Sequence, residues 1–236
     1  MQVVVPYAAH APKTRLEPLL DADERESFAR AMLADVLEAI EGSGRTATVL
    51  STDTVDVDAA VIVDERPLTE AVDGVLVTSD EPVAVVMADL ALATPTSLDE
   101  LFETEGDVVI APGRGGGTNA LVVRHPGFRT DYHGVSYRDH LAIARNIGAS
   151  VEVVDSFRLS TDVDEPEDLV EVLLHGGDRS SAWLERHGFG IESGEGRVSV
   201  VRESDERPRA NDERSRANDE PQADERPLVE NGSHER

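Results

Sequence analysis

Short β-branched and apolar runs alternate with stretches of helical periodicity along residues 1–202, and this alternation leaves few architectures open. Val3–Val5, ending at Pro6, reads as a strand. Thr46–Leu50, Ala60–Val63, Val83–Met87, Val108–Ala111, Leu121–Val123, Val151–Val154 and Val198–Val201 read the same way. Between them Asp21–Glu41 is the clearest helix. Phe28, Met32, Val36 and Ile40 recur at every fourth position, and Leu33 and Leu37 widen the stripe. Asp21 and Glu24 have the spacing of a capping box, and Gly42 and Gly44 stop the helix. Pro67–Val77, Ser97–Phe102, Tyr137–Asn146, Glu165–Leu174 and Ala182–Arg186 follow as shorter helices, while 7–20, with Pro12 and Pro18, reads as a long loop. Right-handed crossovers then give an α/β fold, a mostly parallel sheet with helices on both faces. Such sheets bind ligands beyond the carboxyl ends of their strands.

Charge restricts the partners. Of 236 residues 48 are acidic and 22 basic, a formal net charge of −26, and Lys13 is the only lysine. Phosphate backbones and anionic membranes need clustered cations, so nucleic acid and membrane surfaces are poor partners. The absence of cysteine excludes disulfides and Cys-ligated metals. No apolar run approaches the roughly 20 residues of a membrane span, and the start lacks a basic n-region; a cytoplasmic protein is expected. Residues 1–202 alone hold 37 acidic against 16 basic side chains, so the acidity belongs to the folded part. Self-repulsion of that size is screened in molar salt, where the Debye length is about 3 Å, and the surface reads as halophilic. Residues 203–236 differ in kind. Arg-Ala-Asn-Asp-Glu occurs twice, at 209–213 and 216–220, and apolar residues are scarce. This low-complexity, acidic segment is expected to be a disordered tail behind a single domain spanning 1–202.

Five segments carry candidate chemistry. Lys13 and Arg15 stand two apart after the first strand; on extended backbone they face one ligand, and polyphosphate suits them. Asp89 follows the apolar run Val83–Met87, either as a magnesium ligand or as the N-cap of a following turn. Asp162 and Asp164 precede a helix whose first-turn acids, Glu167 and Asp168, read as capping charge. The run Gly113–Gly117 with Thr118 and Asn119 has no Walker lysine. It is either an anion-binding backbone or a hairpin turn. Ser136 reads as the N-cap of the next helix, whose N-terminus can hold phosphate, whereas His133 and His140 have poor metal spacing.

In this order the segments resemble the 2-phospho-L-lactate guanylyltransferases of coenzyme F-420 biosynthesis, the archaeal type most of all. The resemblance rests on Pro12–Leu16, Met87–Leu90, Gly115–Leu121 and Thr161–Leu169, and extends to about Arg202. It implies a Rossmann-like nucleotidyltransferase fold, a homodimer, and GTP plus 2-phospho-L-lactate going to lactyl-2-diphospho-5′-guanosine and pyrophosphate. Related bacterial enzymes use phosphoenolpyruvate. It implies Mg²⁺ on Asp89, Asp162 and Asp164, and Lys13 and Arg15 on the GTP phosphates, with Asp89 also catalytic. Gly117, Thr118, Asn119, Gly134 and Ser136 would bind the acceptor substrate. The rival readings are another nucleotidyltransferase, a sugar-nucleotide glycosyltransferase of the same fold, and a non-catalytic nucleotide-binding protein.

If the acidic surface is a salt adaptation, circular dichroism and activity should both rise to a plateau by about 2–3 M KCl, where charge repulsion is screened. A salt-independent signal in dilute buffer would overturn that reading.

Overall fold

The structure is a computed structural model and describes residues 1–194 and 198–203. The expected tail, apart from its first residue, lies outside the described residues. Nine strands and seven helices are ordered along the described chain. The strands are β1 (Gln2–Tyr7), β2 (Ala47–Ser51), β3 (Ala60–Val63), β4 (Val83–Val86), β5 (Val108–Pro112), β6 (Thr118–Val123), β7 (Val151–Val153), β8 (Phe189–Ser193) and β9 (Val198–Arg202). The helices are α1 (Ala22–Gly42), α2 (Leu68–Thr78), α3 (Pro95–Glu103), α4 (Ser136–Asn146), α5 (Phe157–Ser160), α6 (Asp168–His175) and α7 (Asp178–Arg186).

Seven strands form one sheet in the order β3-β2-β1-β4-β6-β5-β7. All neighbouring pairs are parallel except those made by β6, which is antiparallel to β4 and β5. The cause is local. Gly113–Gly117 is too short for a crossover, so β5 and β6 can only form a hairpin. From β1 the chain builds outward through β2 and β3, then returns to place β4 on the other side of β1. The reversal opens a crevice at the carboxyl ends of β1 and β4, the place where open α/β sheets bind ligands.

Both sheet faces are covered. Val3, Val5, Val49, Ala84 and Val86 pack with Phe28, Met32, Val36 and Ile40 of α1, together with residues of α3, α6 and α7. Val4, Val83, Val85, Ile110 and Leu121 point to the other face, against α2 and α4. The two-residue alternation within each buried strand therefore divides one sheet between two cores. At the start of α1 the capping box forms: Asp21 Oδ1 accepts from Glu24 N–H at 2.9 Å, and Glu24 Oε2 accepts from Asp21 N–H at 3.0 Å. No helix among the described residues is long and apolar enough to cross a membrane.

Several sequence expectations need correction. The loop 7–20 contains a 3-10 turn at Thr14–Leu16. The single turn α5 is too short to show periodicity. Helix α6 starts at Asp168 rather than Glu165, and α7 starts at Asp178 rather than Ala182. The last strand, β9, does not join the main sheet. It pairs antiparallel with β8, whose Phe-Gly-Ile-Glu-Ser sequence is too polar and brief to announce a strand.

Two buried polar joints hold helices in place. Asp35 of α1 accepts the N–H groups of Arg179 and Ser180 at 2.9 and 2.8 Å, capping α7 from a neighbouring helix. Gly177 makes room for it, since a Cβ there would stand 2.3 Å from the Asp35 carboxyl carbon. Fully buried His140 of α4 accepts the Asp131 N–H at Nε2, 2.9 Å away. In the neutral ring the proton is therefore on Nδ1, which donates to Thr118 Oγ1 at 2.9 Å. Burial pushes the His140 pKa down to about 4, against the opposing pull of Asp131, Asp139 and Asp73.

Asp35→Ala should cost about 2 kcal/mol, because it strands the buried Ser180 N–H and the part-buried Arg179 N–H. Glu38→Ala, which removes the exposed partner of Arg179, should cost under about 1 kcal/mol. Denaturant titration in molar KCl measures both. For His140, the unfolded chain binds a proton near pH 6.5 that the folded chain refuses until about pH 4. Stability is therefore lost as pH falls through that window, by up to about 3 kcal/mol. His140→Gln should remove this part of the slope in paired pH-stability curves; parallel curves would contradict the buried neutral ring.

Candidate functional site

The crevice at the β1/β4 switch is a cavity of about 470 Å³. Its apolar lining includes Met32 of α1, Leu50 of β2 and Ala71 of α2. Its polar lining comes from Lys13, Arg15, Thr52, Asp64, Arg66, Asp89 and Asp164. Its dimensions and its combination of apolar and charged lining suit a ligand with a planar ring and an anionic end.

Lys13 is the centre of the charged group. Its Nζ donates to Asp89 Oδ2 at 2.5 Å and to Asp164 Oδ1 at 2.7 Å, with the side chain only 12% exposed. Arg15 Nη1 lies 3.5 Å from Asp164 Oδ2 and 3.5 Å from Glu165 Oε1. Extended backbone is not what brings the two cations together. Lys13 has φ +55°, in the left-handed region, and caps the 3-10 turn that carries Arg15. Ala11, at φ +44°, is left-handed as well. Such conformations cost non-glycine residues about 1–2 kcal/mol each, so the surrounding contacts must hold the loop. Burial favours discharging Lys13, but Asp89 and Asp164 outweigh it and raise its pKa.

Asp89 sits in the turn after β4, three residues beyond Val86. It is not an N-cap: the following helix, α3, is capped by Thr94. Asp89 Oδ1 is buried with no hydrogen-bond partner. Asp162 lies next to this pair. Burial raises its pKa, the Asp89 and Asp164 charges add to the rise, and a 3.0 Å hydrogen bond from Asn119 Nδ2 opposes it. Asp162 is thus close enough to feel the charges of Asp89 and Asp164. Among the described residues no three His, Cys, Asp or Glu side chains converge as a ready-made metal cage; the Lys13 ammonium lies between two of the three carboxylates. The donor set is nonetheless all oxygen, and the orphaned Asp89 Oδ1 offers a free ligand atom. Both features fit Mg²⁺, which shares its shell between one or two carboxylates and substrate phosphates.

The second group of expected residues surrounds the β5–β6 hairpin, at the same end of the sheet. Gly113 and Gly117 close the turn with a 2.9 Å backbone bond. Gly116, at φ +84°, also packs where a Cβ would meet Val135 at 2.9 Å. Thr118 N–H donates to Ser136 Oγ at 2.9 Å. Ser136 is not the N-cap that the sequence suggests but the first residue of α4, whose N-cap is Val135. The Thr118 and Ser136 oxygens both accept hydrogen bonds inside the protein, which leaves their own O–H groups to donate, on residues that are both buried. Asn119 spends its amide on Asp162 and on the Leu159 carbonyl. Gly134 is exposed at φ +54° in the loop before α4. Gly117, Thr118, Asn119, Gly134 and Ser136 do not line the cavity around Lys13; only Asn119 touches an acidic residue of that cluster. His133 is exposed and pairs with Asp131.

Sequence reasoning missed Tyr7, Asp64 and Arg66 in the cavity wall. Their signal was available, since each follows or ends a parallel strand at its carboxyl edge. Asp168 caps as its position suggests, accepting from the backbone of Asp164 and Glu165 just before α6, but it also accepts from Arg114 of the glycine hairpin, a contact that spacing along the chain does not signal.

Comparison with known proteins identifies the family. The family model described as "Guanylyl transferase CofC like" matches residues 1–203. A 2-phospho-L-lactate guanylyltransferase from Halomicrobium mukohataei is 62% identical over 202 residues, covering 86% of this chain and 100% of that one. One from Natronomonas pharaonis is 57% identical over 202 residues, covering 86% and 99%. Among solved structures, a nucleotide-diphospho-sugar transferase candidate from Desulfovibrio desulfuricans G20 superposes with a TM-score of 0.62 at 16% identity, over 79% of this chain and 96% of that one. A nucleotidyl transferase from Methanothermobacter thermautotroptrophicus gives 0.51 at 14% identity, over 78% and 99%. The structural likeness establishes the nucleotidyltransferase fold, and the family match places the chain among nucleotidyltransferase enzymes. From residue 1 to residue 203, this chain belongs to the CofC-like guanylyl transferase family.

Proposed function

We propose that this protein condenses GTP with 2-phospho-L-lactate, forming lactyl-2-diphospho-5′-guanosine and releasing pyrophosphate, a step of coenzyme F-420 biosynthesis. The observation that carries the reading is the Lys13–Asp89–Asp164 cluster at the mouth of a nucleotide-sized cavity, in a chain with 62% identity to a relative of that name. An oxygen of the acceptor phosphate attacks the α-phosphorus of GTP, a new P–O bond forms, and the bond to the β-phosphate oxygen breaks. The attacking oxygen is already ionised at neutral pH, so no general base is required. What the reaction lacks is tolerance of charge, since two anions must meet in an acidic protein.

The chain's residues address that problem by position. Lys13 and Arg15 supply positive charge to the triphosphate and to the departing pyrophosphate. Asp89 and Asp164, with Asp162 beside them, would hold Mg²⁺, whose chemistry is to neutralise charge on the attacking and leaving oxygens. The freed O–H groups of Thr118 and Ser136 donate to the acceptor's phosphate or carboxylate, with Gly117, Asn119 and Gly134 shaping that side. The apolar wall of Met32, Leu50 and Ala71 takes the base. A homodimer working in the cytoplasm at molar salt completes the proposal; sedimentation in KCl reads its oligomeric state.

Pyrophosphate release should require GTP, Mg²⁺ and 2-phospho-L-lactate together. Asp89→Asn and Asp164→Asn should each lower it by more than about 100-fold without altering the circular dichroism. Release with phosphoenolpyruvate alone would reassign the acceptor. Near-wild-type rates in either variant would remove the metal assignment, and no release with either acceptor would remove the activity.

A further inference from the structure

The acidic turn 162–165 and the glycine hairpin 113–117 lie far apart in sequence and carry the two halves of the proposed reaction. One side chain is bonded to both. Asp168 Oδ2 accepts the backbone N–H groups of Asp164 and Glu165, at 3.0 and 2.8 Å. Asp168 Oδ1 accepts from Arg114 Nη2 of the hairpin at 2.6 Å. The Asp168 side chain is 14% exposed, so these bonds are partly shielded from water. Arg114 is anchored in turn by its own N–H, which donates to the Ser160 carbonyl at 3.0 Å. The first turn of α6 holds a second acid, Glu171, while the exposed N-cap Glu167 makes no side-chain capping bond. The two bonds to the Asp164 and Glu165 backbone are of the kind a first-turn acid makes to the chain just before its helix; the bond from Arg114 reaches a separate element and is not needed for capping.

We propose that Asp168 is a positioning residue for nucleotidyl transfer. Its two oxygens set the acidic turn and the glycine hairpin against each other, and Arg114 is the hairpin's end of the link. The mechanism is geometric. Asp164 meets Lys13 through its side chain, and the direction of that side chain follows the backbone that Asp168 holds. When the two N–H groups lose their acceptor, the Asp164 carboxylate is free to turn from Lys13 and Asp89. Asn119 ties the same loops a second time through Asp162, so loss of Asp168 loosens the arrangement without dissolving it.

This inference rests on the proposed guanylyl transfer, and its test separates the two. Asp168→Asn, Arg114→Gln, the double variant and Glu167→Gln are compared with wild type as full chains in molar KCl. Three quantities are read: kcat and KM for GTP, Mn²⁺ binding without substrates by electron paramagnetic resonance, and hydrogen exchange at the Asp164 and Glu165 amides. Asp168→Asn should lower kcat by about 100-fold, the scale of a misplaced reacting group, with KM for GTP changed by less than about threefold. Mn²⁺ binding should weaken by about tenfold, and both amides should exchange faster. Arg114→Gln should act in the same direction but less strongly, and the double variant should be no worse than Asp168→Asn. Glu167→Gln should match wild type throughout. A folded Asp168→Asn with wild-type kcat, Mn²⁺ binding and amide exchange would overturn the assignment. If Asp168→Asn fails to fold, Arg114→Gln decides, because its guanidinium is half exposed and its loss leaves the helix intact. If wild type releases no pyrophosphate, the activity is wrong, and amide exchange with Mn²⁺ binding still judges the link.

Discussion

One ammonium organises the site. Lys13 stands between Asp89 and Asp164, and those two carboxylates come from turns 75 residues apart in sequence. Without a cation between them, like charges this close in a partly buried cleft would repel and drive the turns apart. Arginine could not occupy the position in the same way, because its planar fork spreads charge that a lysine concentrates at one atom. In a chain with 21 arginines and one lysine, that difference gives the single lysine its meaning. The same contact restrains a loop with two left-handed non-glycine residues, so the strain of that loop and the electrostatics of the cleft offset each other.

The fold makes this contact possible through its order of strands. Lys13 follows β1 and Asp89 follows β4, and the sheet places those two strands side by side although two strands intervene in sequence. Asp164 arrives from the other half of the molecule, on the turn before α6. The β5–β6 hairpin brings Thr118 and Asn119 to the same edge by reversing one strand. Asn119 and Asp168 then join the hairpin to the acidic turn. The site is thus a meeting of four loops, each fixed at its base by a buried strand or helix and each fastened to another by a charged or polar side chain.

Much of this was legible without coordinates. The β-branched runs and the four-residue stripe of α1 announce a layered α/β protein, since burying such runs requires a sheet with helices on its faces. The capping box at Asp21 and Glu24 forms as its spacing demands. Lys13, Asp89, Asp162 and Asp164 could be singled out because each follows a strand or precedes a helix, where ligands gather. Short or mixed segments escaped notice. A single turn such as α5 has no period, and β8 becomes a strand only because β9 lies beside it.

What the sequence determined by itself is local and compositional: which segments form strands and helices, which chain carries the family's motifs, and that the surface is acidic with one lysine held back. Such properties depend on neighbours in the chain and on amino-acid chemistry. Only the tertiary structure decided which side chains spend their hydrogen bonds on each other. It seated Lys13 between two carboxylates from a left-handed rather than an extended backbone. It gave the Thr118 and Ser136 oxygens partners inside the protein and turned Asp168 from a helix charge into a tie between loops. Those outcomes depend on distances between residues far apart in the chain, which spacing along a sequence does not encode.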